Sequence, residues 1–399
     1  MGIKHIAAIG VVFVSVLACG TSQSQPNSTE GAAGDPTVAG HVHGAAPPPA
    51  KPLRDGERFA EVGLQQAYQP KPPEGGTDEY RCFLVDPKLT EPAFITGNQF
   101  LPQNQAIVHH AILYAIPASE VEHAKSVDAK TDGDGWQCFS GTGLTQALER
   151  INGSDKETFI GGWAPGNDET LLGNPAGFPV QPGTQIVLQV HYNLLSTNGK
   201  PGPTDQSKVR LRLMPGTAKV TPLHGALLPG PIELPCTAQE SGPLCDRENA
   251  IQDLVKRTGS QARDEVVGLN YLCNKGKEPV PGPTQHCDHR IRSNSMLYAV
   301  APHMHLLGRS IKVELNPDTP NARTLLDQPQ YNFDNQSTQP MPEPVALKTG
   351  DTIRVTCTHD ASLRSQIPEL QPLKPRYVVW GDGTSDEMCL ALVTTASRE

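Results

Sequence analysis

Hydrophobic residues along this 399-residue chain fall in short runs that either alternate with polar residues or are apolar throughout. Alternation with a period of two, and short β-branched runs bounded by turns, are typical of β-strands. Turn signals such as Gln-Pro-Gly before Thr184 separate the runs. The pattern therefore predicts a series of strands in the first half of the chain, at Tyr80 to Asp86, Gln105 to Ile116, Thr184 to Leu195 and Ser207 to Pro215.

A second group of strand-like runs follows Lys219 and continues to about Thr395. Residues 245–273 interrupt it with a polar, proline-free stretch that has helical spacing at Ile251, Leu254 and Val255. Gly and Pro number 37 and 38, about one residue in five, against roughly 12% on average. We expect an all-β protein with an N-terminal domain at 55–216, a C-terminal domain at 217–399 and a helical insertion at about 245–273.

The N-terminus has the pattern of an export signal. Lys4 precedes an apolar run that is too short to favour a membrane span, and the run ends in Val-Leu-Ala-Cys, which resembles a bacterial lipobox. We expect a signal peptide at 1–19, a lipid on Cys19 and a disordered linker at 20–54 that is rich in Gly, Ala, Pro, Ser and Thr. The expected location is the bacterial outer membrane as a lipoprotein, or the cell surface or periplasm. Ordinary secretion and a plain signal anchor remain the alternatives.

The net charge and the cysteine content argue against several classes of function. The formal net charge is -9 and basic residues do not cluster, so a nucleic-acid partner is not expected. Eight cysteines follow Cys19, and an even number in an exported protein favours disulfides. No Cys-x-x-Cys pair exists, which argues against zinc ribbons and thioredoxin-like sites.

Histidines form the candidate chemistry. His109 and His110 are adjacent, so both reach one ion only at a strand end or a bulge. His191 lies in the middle of a predicted strand beside Gln189. His303 and His305 share one face if their stretch is a strand. Met388 precedes Cys389 just before an apolar run, where a core methionine is the plain alternative.

In this order, the His-His pair, Leu-Gln-Val-His-Tyr, His-Met-His-Leu-Leu-Gly-Arg and Asp-Glu-Met-Cys resemble the copper type II, ascorbate-dependent monooxygenases, relatives of peptidylglycine α-hydroxylating monooxygenase and dopamine β-monooxygenase. The resemblance covers about Asp55 to Ser397. It implies two tandem antiparallel, jelly-roll-like β-sandwiches, each holding one copper, with an open water-filled cleft between them. It also implies an electron-transferring copper on His109, His110 and His191, and an oxygen-binding copper on His303, His305 and Met388. Imidazole and thioether ligands suit copper, whereas a site for Mg²⁺ or Ca²⁺ would need more carboxylates.

The same resemblance implies the disulfides Cys82–Cys138 and Cys357–Cys389. The other four cysteines allow three connectivities. We expect Cys236–Cys287 with Cys245–Cys273, nested around the helical insertion.

The resemblance implies a monomeric enzyme that hydroxylates an activated C–H bond with O₂ and an external reductant, ascorbate or another one-electron donor. The peptide-amidating members hold a substrate carboxylate with an Arg at the place of Ala301, and with an Asn and a Tyr at those of Leu390 and Leu392. An apolar or aromatic small molecule is therefore expected as the substrate. The alternatives are a non-catalytic copper carrier and a zinc site on a β-sandwich. His224, Gln189 and Tyr80 are further candidates to lie at the sites.

Overall fold

Strands dominate the computed structural model, which describes residues 47–72, 77–138, 141–145, 156–164, 168–173, 175–194, 200, 202–333, 336–368, 370–383 and 385–397. The predicted signal peptide, the lipid on Cys19 and most of the predicted linker lie outside these residues. Among the described residues, no helix has the length and apolar character needed to span a membrane. The chain is all-β, as predicted, with mostly antiparallel sheets and three short α-helices in the described part.

The N-terminal half of the described chain contains eleven strands. They are β1 (Arg58–Gly63), β2 (Asp78–Val85), β3 (Ala93–Leu101), β4 (Val108–Ile116), β5 (Trp136–Gln137), β6 (Thr158–Trp163), β7 (Thr170–Leu171), β8 (Ala176–Val180), β9 (Gln185–Asn193), β10 (Lys208–Pro215) and β11 (Thr221–Pro222). One sheet has the order β1-β10-β3-β8-β11 with β7 on β3, and the other has the order β5-β2-β9-β4-β6. Helix α1 (Ala118–Asp128) follows β4. Both sheets contribute to one apolar core, which includes Phe100, Phe178 and Leu188.

Ten further strands form the C-terminal half of the described chain. They are β12 (His224–Gly230), β13 (Glu233–Leu234), β14 (Thr284–Arg290), β15 (Ser295–His303), β16 (Gly308–Leu315), β17 (Arg323–Gln328), β18 (Gln339–Leu347), β19 (Thr352–His359), β20 (Val378–Val379) and β21 (Cys389–Ser397). Their sheets have the orders β12-β21-β15-β18, β14-β19-β16-β17 and β13-β20. The two four-stranded sheets share a second core, which includes Val300, Val313, Val355 and Val393.

The helical insertion is present as two helices, α2 (Arg247–Thr258) and α3 (Gln261–Cys273). Asp246 caps α2 by accepting a hydrogen bond from the backbone N–H of Asn249 at 2.9 Å. The helices bury Ile251, Leu254 and Val266 in the core of the C-terminal half. The insertion is therefore part of the folded domain and does not merely decorate its surface.

Four disulfides cross-link the chain. Cys82–Cys138 and Cys357–Cys389 are present as the resemblance implied. The expected nested pairs are wrong: the structure contains Cys236–Cys245 in place of Cys236–Cys287, and Cys273–Cys287 in place of Cys245–Cys273. Helix α3 ends against β14, which brings the Cα atoms of Cys273 and Cys287 to 4.7 Å. Four disulfides fit an extracellular or periplasmic protein.

Residues 47–54, which composition placed at the end of the linker, are bound to the N-terminal half. Buried Arg212 donates to the carbonyls of Lys51 and Pro52, and Arg54 donates to the carbonyls of Thr96 and Leu172. Buried Glu57 holds Arg212 in an ion pair at 3.0 Å. This segment is ordered because its backbone carbonyls have buried cationic donors, a condition that composition does not reveal.

Candidate metal centres and the cavity beside them

Three buried histidines meet at one edge of the N-terminal half. His109 and His110 lie on β4, and His191 lies on the neighbouring central strand β9. The β4–β9 register shifts between Val108 and His110, and this irregularity lets two adjacent side chains turn toward the same partner. His109 and His110 therefore lie at a bulge, as the sequence required if both were to reach one ion.

The Nδ1 atoms of the three rings converge. Nδ1 of His191 lies 3.1 Å from Nδ1 of His109 and 3.2 Å from Nδ1 of His110. Nitrogens that each bind one ion at about 2.0–2.1 Å with near-tetrahedral angles lie roughly 3.3–3.4 Å apart, close to the distances found here. We call these three residues the histidine triad, and its spacing matches a shared metal ion.

The protonation of His191 is set from its other side. Nε2 of His191 lies 2.9 Å from Oδ1 of Asp78, and a carboxylate only accepts, so Nε2 carries the proton and donates. Nδ1 is then left with a lone pair directed at the other two rings. Tyr80 stacks on His191 with ring centroids 4.1 Å apart. The ring of His191 is thus held in the tautomer and orientation that a metal ligand needs.

Burial favours the neutral form of two histidines of the triad. Loss of water, reinforced by the neighbouring His191 and His109, holds the pKa of His110 well below its usual range. Burial also lowers the pKa of His191, although the Asp78 carboxylate opposes the shift. Neutral imidazole is the form that binds metal ions.

A second pair of histidines lies in the C-terminal half. His303 is the last residue of β15, whereas His305 lies beyond the strand, so the two rings do not share a strand face. The turn nevertheless brings their centroids to 5.3 Å with an interplanar angle of 87°. The sequence correctly predicted that the rings of His303 and His305 lie close together. The reason given, that both residues belong to one strand, is wrong.

Both rings of this pair are anchored through Nδ1. Nδ1 of His303 donates to the side-chain oxygen of Gln336 at 2.6 Å, and Nδ1 of His305 donates to the carbonyl of Asp386 at 3.2 Å. Among the described residues, Nε2 of His305 is buried with no hydrogen-bond partner. A buried lone pair without a donor is costly unless a cation meets it. Burial, then His305, lowers the pKa of His303 to about 3, which keeps that imidazole neutral.

Buried Glu387 holds the turn that carries His305. Its carboxylate accepts the backbone N–H groups of His305 at 2.9 Å and of Leu307 at 2.6 Å. It also lies 3.2 Å from Nε2 of His359. Burial raises the pKa of Glu387, but His359, His305 and the backbone N–H of Leu307 together hold the pKa below its ordinary value.

Met388 directly precedes β21 and lies beside the Cys357–Cys389 disulfide. Its carbonyl lies 3.2 Å from Nε2 of His359. It lines the same cavity as His303. The disulfide ties the strand after Met388 to β19, which ends at His359, so this segment is anchored on both sides.

The two groups of histidines are adjacent. The rings of His110 and His303 lie 5.7 Å apart, and Phe333 stacks on His109 at 5.0 Å and lies 6.5 Å from His305. The hydroxyl of Tyr80 donates to the carbonyl of Asp382 across the same junction. The resemblance implied an open cleft between the two sites, whereas here Phe333 and the histidine rings of the two groups lie next to one another at one end of a cavity.

A cavity of about 1170 Å³ begins at His110, His303 and Met388. It extends between the sheet that contains β4 and β6 and the sheet that contains β12, β21 and β15. Ala301, Leu390 and Leu392 line it. The residues that replace the carboxylate-binding side chains of the peptide-amidating enzymes thus face this space.

The remaining candidates lie elsewhere. His224 is exposed at the start of β12, and Gln189 donates to the carbonyl of Gly141 at 2.7 Å and not to a histidine. Sequence reasoning missed the supporting roles of Asp78 and Gln336. Asp78 lies two residues before Tyr80 on β2, whose register places Tyr80 opposite His191, but nothing local marks Gln336.

Likenesses to solved structures are weak. An allantoicase is 10% identical with a TM-score of 0.20, covering 76% of this chain and 86% of that one. A Paenibacillus xanthan lyase is 8% identical with a TM-score of 0.17, covering 84% and 25%. A putative secreted protein from Parabacteroides distasonis is 9% identical with a TM-score of 0.19, covering 87% and 91%. These scores carry no argument about this chain.

A search of curated proteins found no match. Residues 282–395, which include His303, His305 and Met388, match the family model described as the copper type II ascorbate-dependent monooxygenase, C-terminal domain.

Proposed function

We propose that this protein is a copper-dependent monooxygenase that hydroxylates a C–H bond of a small organic molecule. The observation that carries the proposal is that two groups of histidines lie next to each other at one end of a cavity. In the histidine triad the Nδ1 atoms converge, and in the second group Nε2 of His305 is buried without a hydrogen-bond partner among the described residues. The family match of residues 282–395 supports the same reading.

The residues present fit two copper ions. The histidine triad offers three converging Nδ1 atoms. His303 and His305 offer Nε2 atoms, and Met388 lines the same cavity as His303. Imidazole suits both copper oxidation states, and the thioether of methionine favours Cu(I). When bound, copper supplies the one-electron chemistry and the activation of O₂ that amino-acid side chains lack.

The chain's own residues place the ligands. Gln336 and the Asp386 carbonyl hold the proton on Nδ1 of each histidine of the pair, which directs Nε2 inward. Phe333 packs against both histidine groups and so limits the movement of their rings. The overall reaction is R–H + O₂ + 2 H⁺ + 2 e⁻ → R–OH + H₂O, with the electrons taken from two molecules of a one-electron donor such as ascorbate.

Copper analysis with labelled oxygen tests the proposal. The copper-loaded protein should contain two ions per chain. With ascorbate and ¹⁸O₂, it should place ¹⁸O in a member of a panel that includes 2-ethylnaphthalene and 2-naphthylacetate. His305→Ala should abolish the incorporation, whereas the matched change His224→Ala at an exposed position should leave it unchanged. Two bound coppers without labelled product would favour the carrier, and one zinc without copper would favour the zinc site.

Export and lipid attachment belong to the same proposal. The four disulfides support an oxidising compartment. We infer that the protein is a lipoprotein attached through Cys19 and that it acts as a monomer. Mass spectrometry of the mature N-terminus and the mass of the purified protein in solution test these two points.

A further inference from the structure

We propose that the cavity beside His303 binds an uncharged, apolar substrate about 13 Å long, laid along one face of the β12-β21-β15 sheet. This inference rests on the proposed function, because the reacting carbon must lie at the His303 end.

The first row lies at the metal-binding end. Pro229 pairs with Leu390, and Leu390 pairs with His303, so these residues on β12, β21 and β15 stand side by side. All three line the cavity. A substrate that lies on this row would therefore contact two apolar side chains, Pro229 and Leu390. One end of it would lie beside the imidazole of His303, a ligand of the proposed oxygen-binding copper.

The second row is entirely apolar. Leu227 pairs with Leu392, and Leu392 pairs with Ala301, and all three line the cavity. Residues two apart on a strand face the same side and are about 6.6–6.8 Å apart. This row continues the same surface by one step away from His303.

The third row is the last row to which all three strands contribute residues that line the cavity. Gly225 pairs with Thr394, and Thr394 pairs with Ala299. A Cβ on Gly225 would lie 2.3 Å from the carbonyl oxygen of Phe159 on β6, so the two halves of the chain touch here. Four residues along a strand span roughly 13 Å, which sets the length of the floor from the first row to the third.

Apart from His303, none of the residues in these three rows has an ionisable side chain. The opposite wall contributes Ile112, Phe159 and Trp163, which are apolar or aromatic. Charged side chains also line the cavity, among them Glu157, Arg290 and Arg292, but none of them belongs to the three rows. A carboxylate lying on the three rows would therefore lose its hydration without a cationic side chain in those rows to compensate it. An apolar ring system or chain instead gains by leaving water.

A matched pair of probes tests the inference. 2-Ethylnaphthalene and 2-naphthylacetate share the ring and the benzylic carbon and differ in a methyl against a carboxylate. Equilibrium dialysis against the copper-loaded full-length protein should show the neutral probe binding on the order of 100-fold more tightly. Equal or tighter binding of the anion, or no binding of either probe, would overturn the inference.

Two variants locate the binding. Leu392→Arg in the middle row should weaken the binding of 2-ethylnaphthalene by at least about 30-fold and strengthen the binding of 2-naphthylacetate. Val267→Arg adds the same side chain on the exposed face of α3 and should change the affinity of neither probe. If Leu392→Arg does not fold, Ala301→Leu fills the same row without charge and should also weaken the neutral probe. Unchanged binding in the folded variant would overturn the placement.

Binding and turnover are measured separately, so the two proposals fail in different ways. Neutral-probe binding without ¹⁸O product would refute the oxygenase and leave the apolar site standing. Labelled product from the anion alone would uphold the oxygenase and refute the apolar substrate.

Discussion

Arg257 on helix α2 forms a bidentate ion pair with Asp386, two residues before Met388, with N–O distances of 2.7 and 3.2 Å. The carbonyl of Asp386 in turn accepts from Nδ1 of His305. The helical insertion is thus connected to a proposed copper ligand through two consecutive contacts. Asp386 is buried, so its charge depends on this partner.

Replacing Arg257 should disturb both stability and the second metal site. Arg257→Ala leaves the buried Asp386 carboxylate without its bidentate partner, so the free energy of unfolding should fall by about 3–5 kcal/mol. The copper spectrum of the His303/His305 site should change, because the carbonyl that orients His305 is released. Chemical denaturation and electron paramagnetic resonance of the Cu(II) protein measure the two effects.

The control for this change lies on the same insertion. Arg263→Ala removes an exposed partner of Glu248 and should cost less than about 1 kcal/mol. Arg257→Lys should restore part of the spectrum. An unaltered spectrum in a folded Arg257→Ala protein would show that the ion pair is structural only.

Asp78 should control the metal affinity of the histidine triad. In Asp78→Asn, His191 loses the carboxylate that holds its Nε2 proton, so the lone pair on Nδ1 is less well placed. Copper affinity at this site should fall by about 10–100-fold. Competition with a copper chelator measures it, and exposed Asp86→Asn serves as the control. Equal affinities in the two variants would contradict the role of Asp78.

Met388 should matter to one copper and not to the other. Met388→Ala removes the soft ligand proposed for the His303/His305 site. Labelled-oxygen turnover should then be lost, while the copper bound by the histidine triad remains. Met214→Ala on β10, a methionine that does not line the cavity, should retain turnover. Full activity in Met388→Ala would refute the assigned ligand.

Glu57 should contribute a defined part of the acid stability. Burial opposes ionisation, but hydrogen bonds from Arg54, Thr96 and Arg212 lower its pKa from 4.5 to about 2. A lowered folded-state pKa stabilises the protein above the unfolded pKa, and this stability is lost as the pH falls from about 4.5 to about 2. The difference in unfolding free energy between wild type and Glu57→Gln should therefore shrink by up to about 3 kcal/mol across that range.

Denaturation at a series of pH values measures this difference. Glu91→Gln at an exposed position should give a difference that is small and flat with pH. A Glu57→Gln difference that is equally flat would contradict the lowered pKa.

Local patterns predicted the elements that carry the sites. The strand expected at Gln105 to Ile116 is β4, Val108–Ile116, and the strand expected at Thr184 to Leu195 is β9, Gln185–Asn193. Alternation of apolar and polar residues reports strand faces directly, because side-chain direction has a period of two. The bulge that lets His109 and His110 share a partner followed from the same rule.

Contacts between distant segments were not predictable in this way. The Cys236–Cys245 and Cys273–Cys287 bonds depend on where α3 ends relative to β14, and spacing leaves all three connectivities open. Gln336 and Arg257 reach the site from loops and helices far away in the chain. No local periodicity marks such residues.

The amino-acid order alone determined the all-β class, because hydrophobic alternation is a property of neighbouring residues. The two histidine groups were implied by the resemblance of their motifs to the copper type II monooxygenases. Only the tertiary structure decided that the groups lie against each other, which nitrogens carry protons, and that an apolar floor runs from His303 to Gly225. These features arise from packing between sheets, where the burial of one surface depends on residues hundreds of positions away.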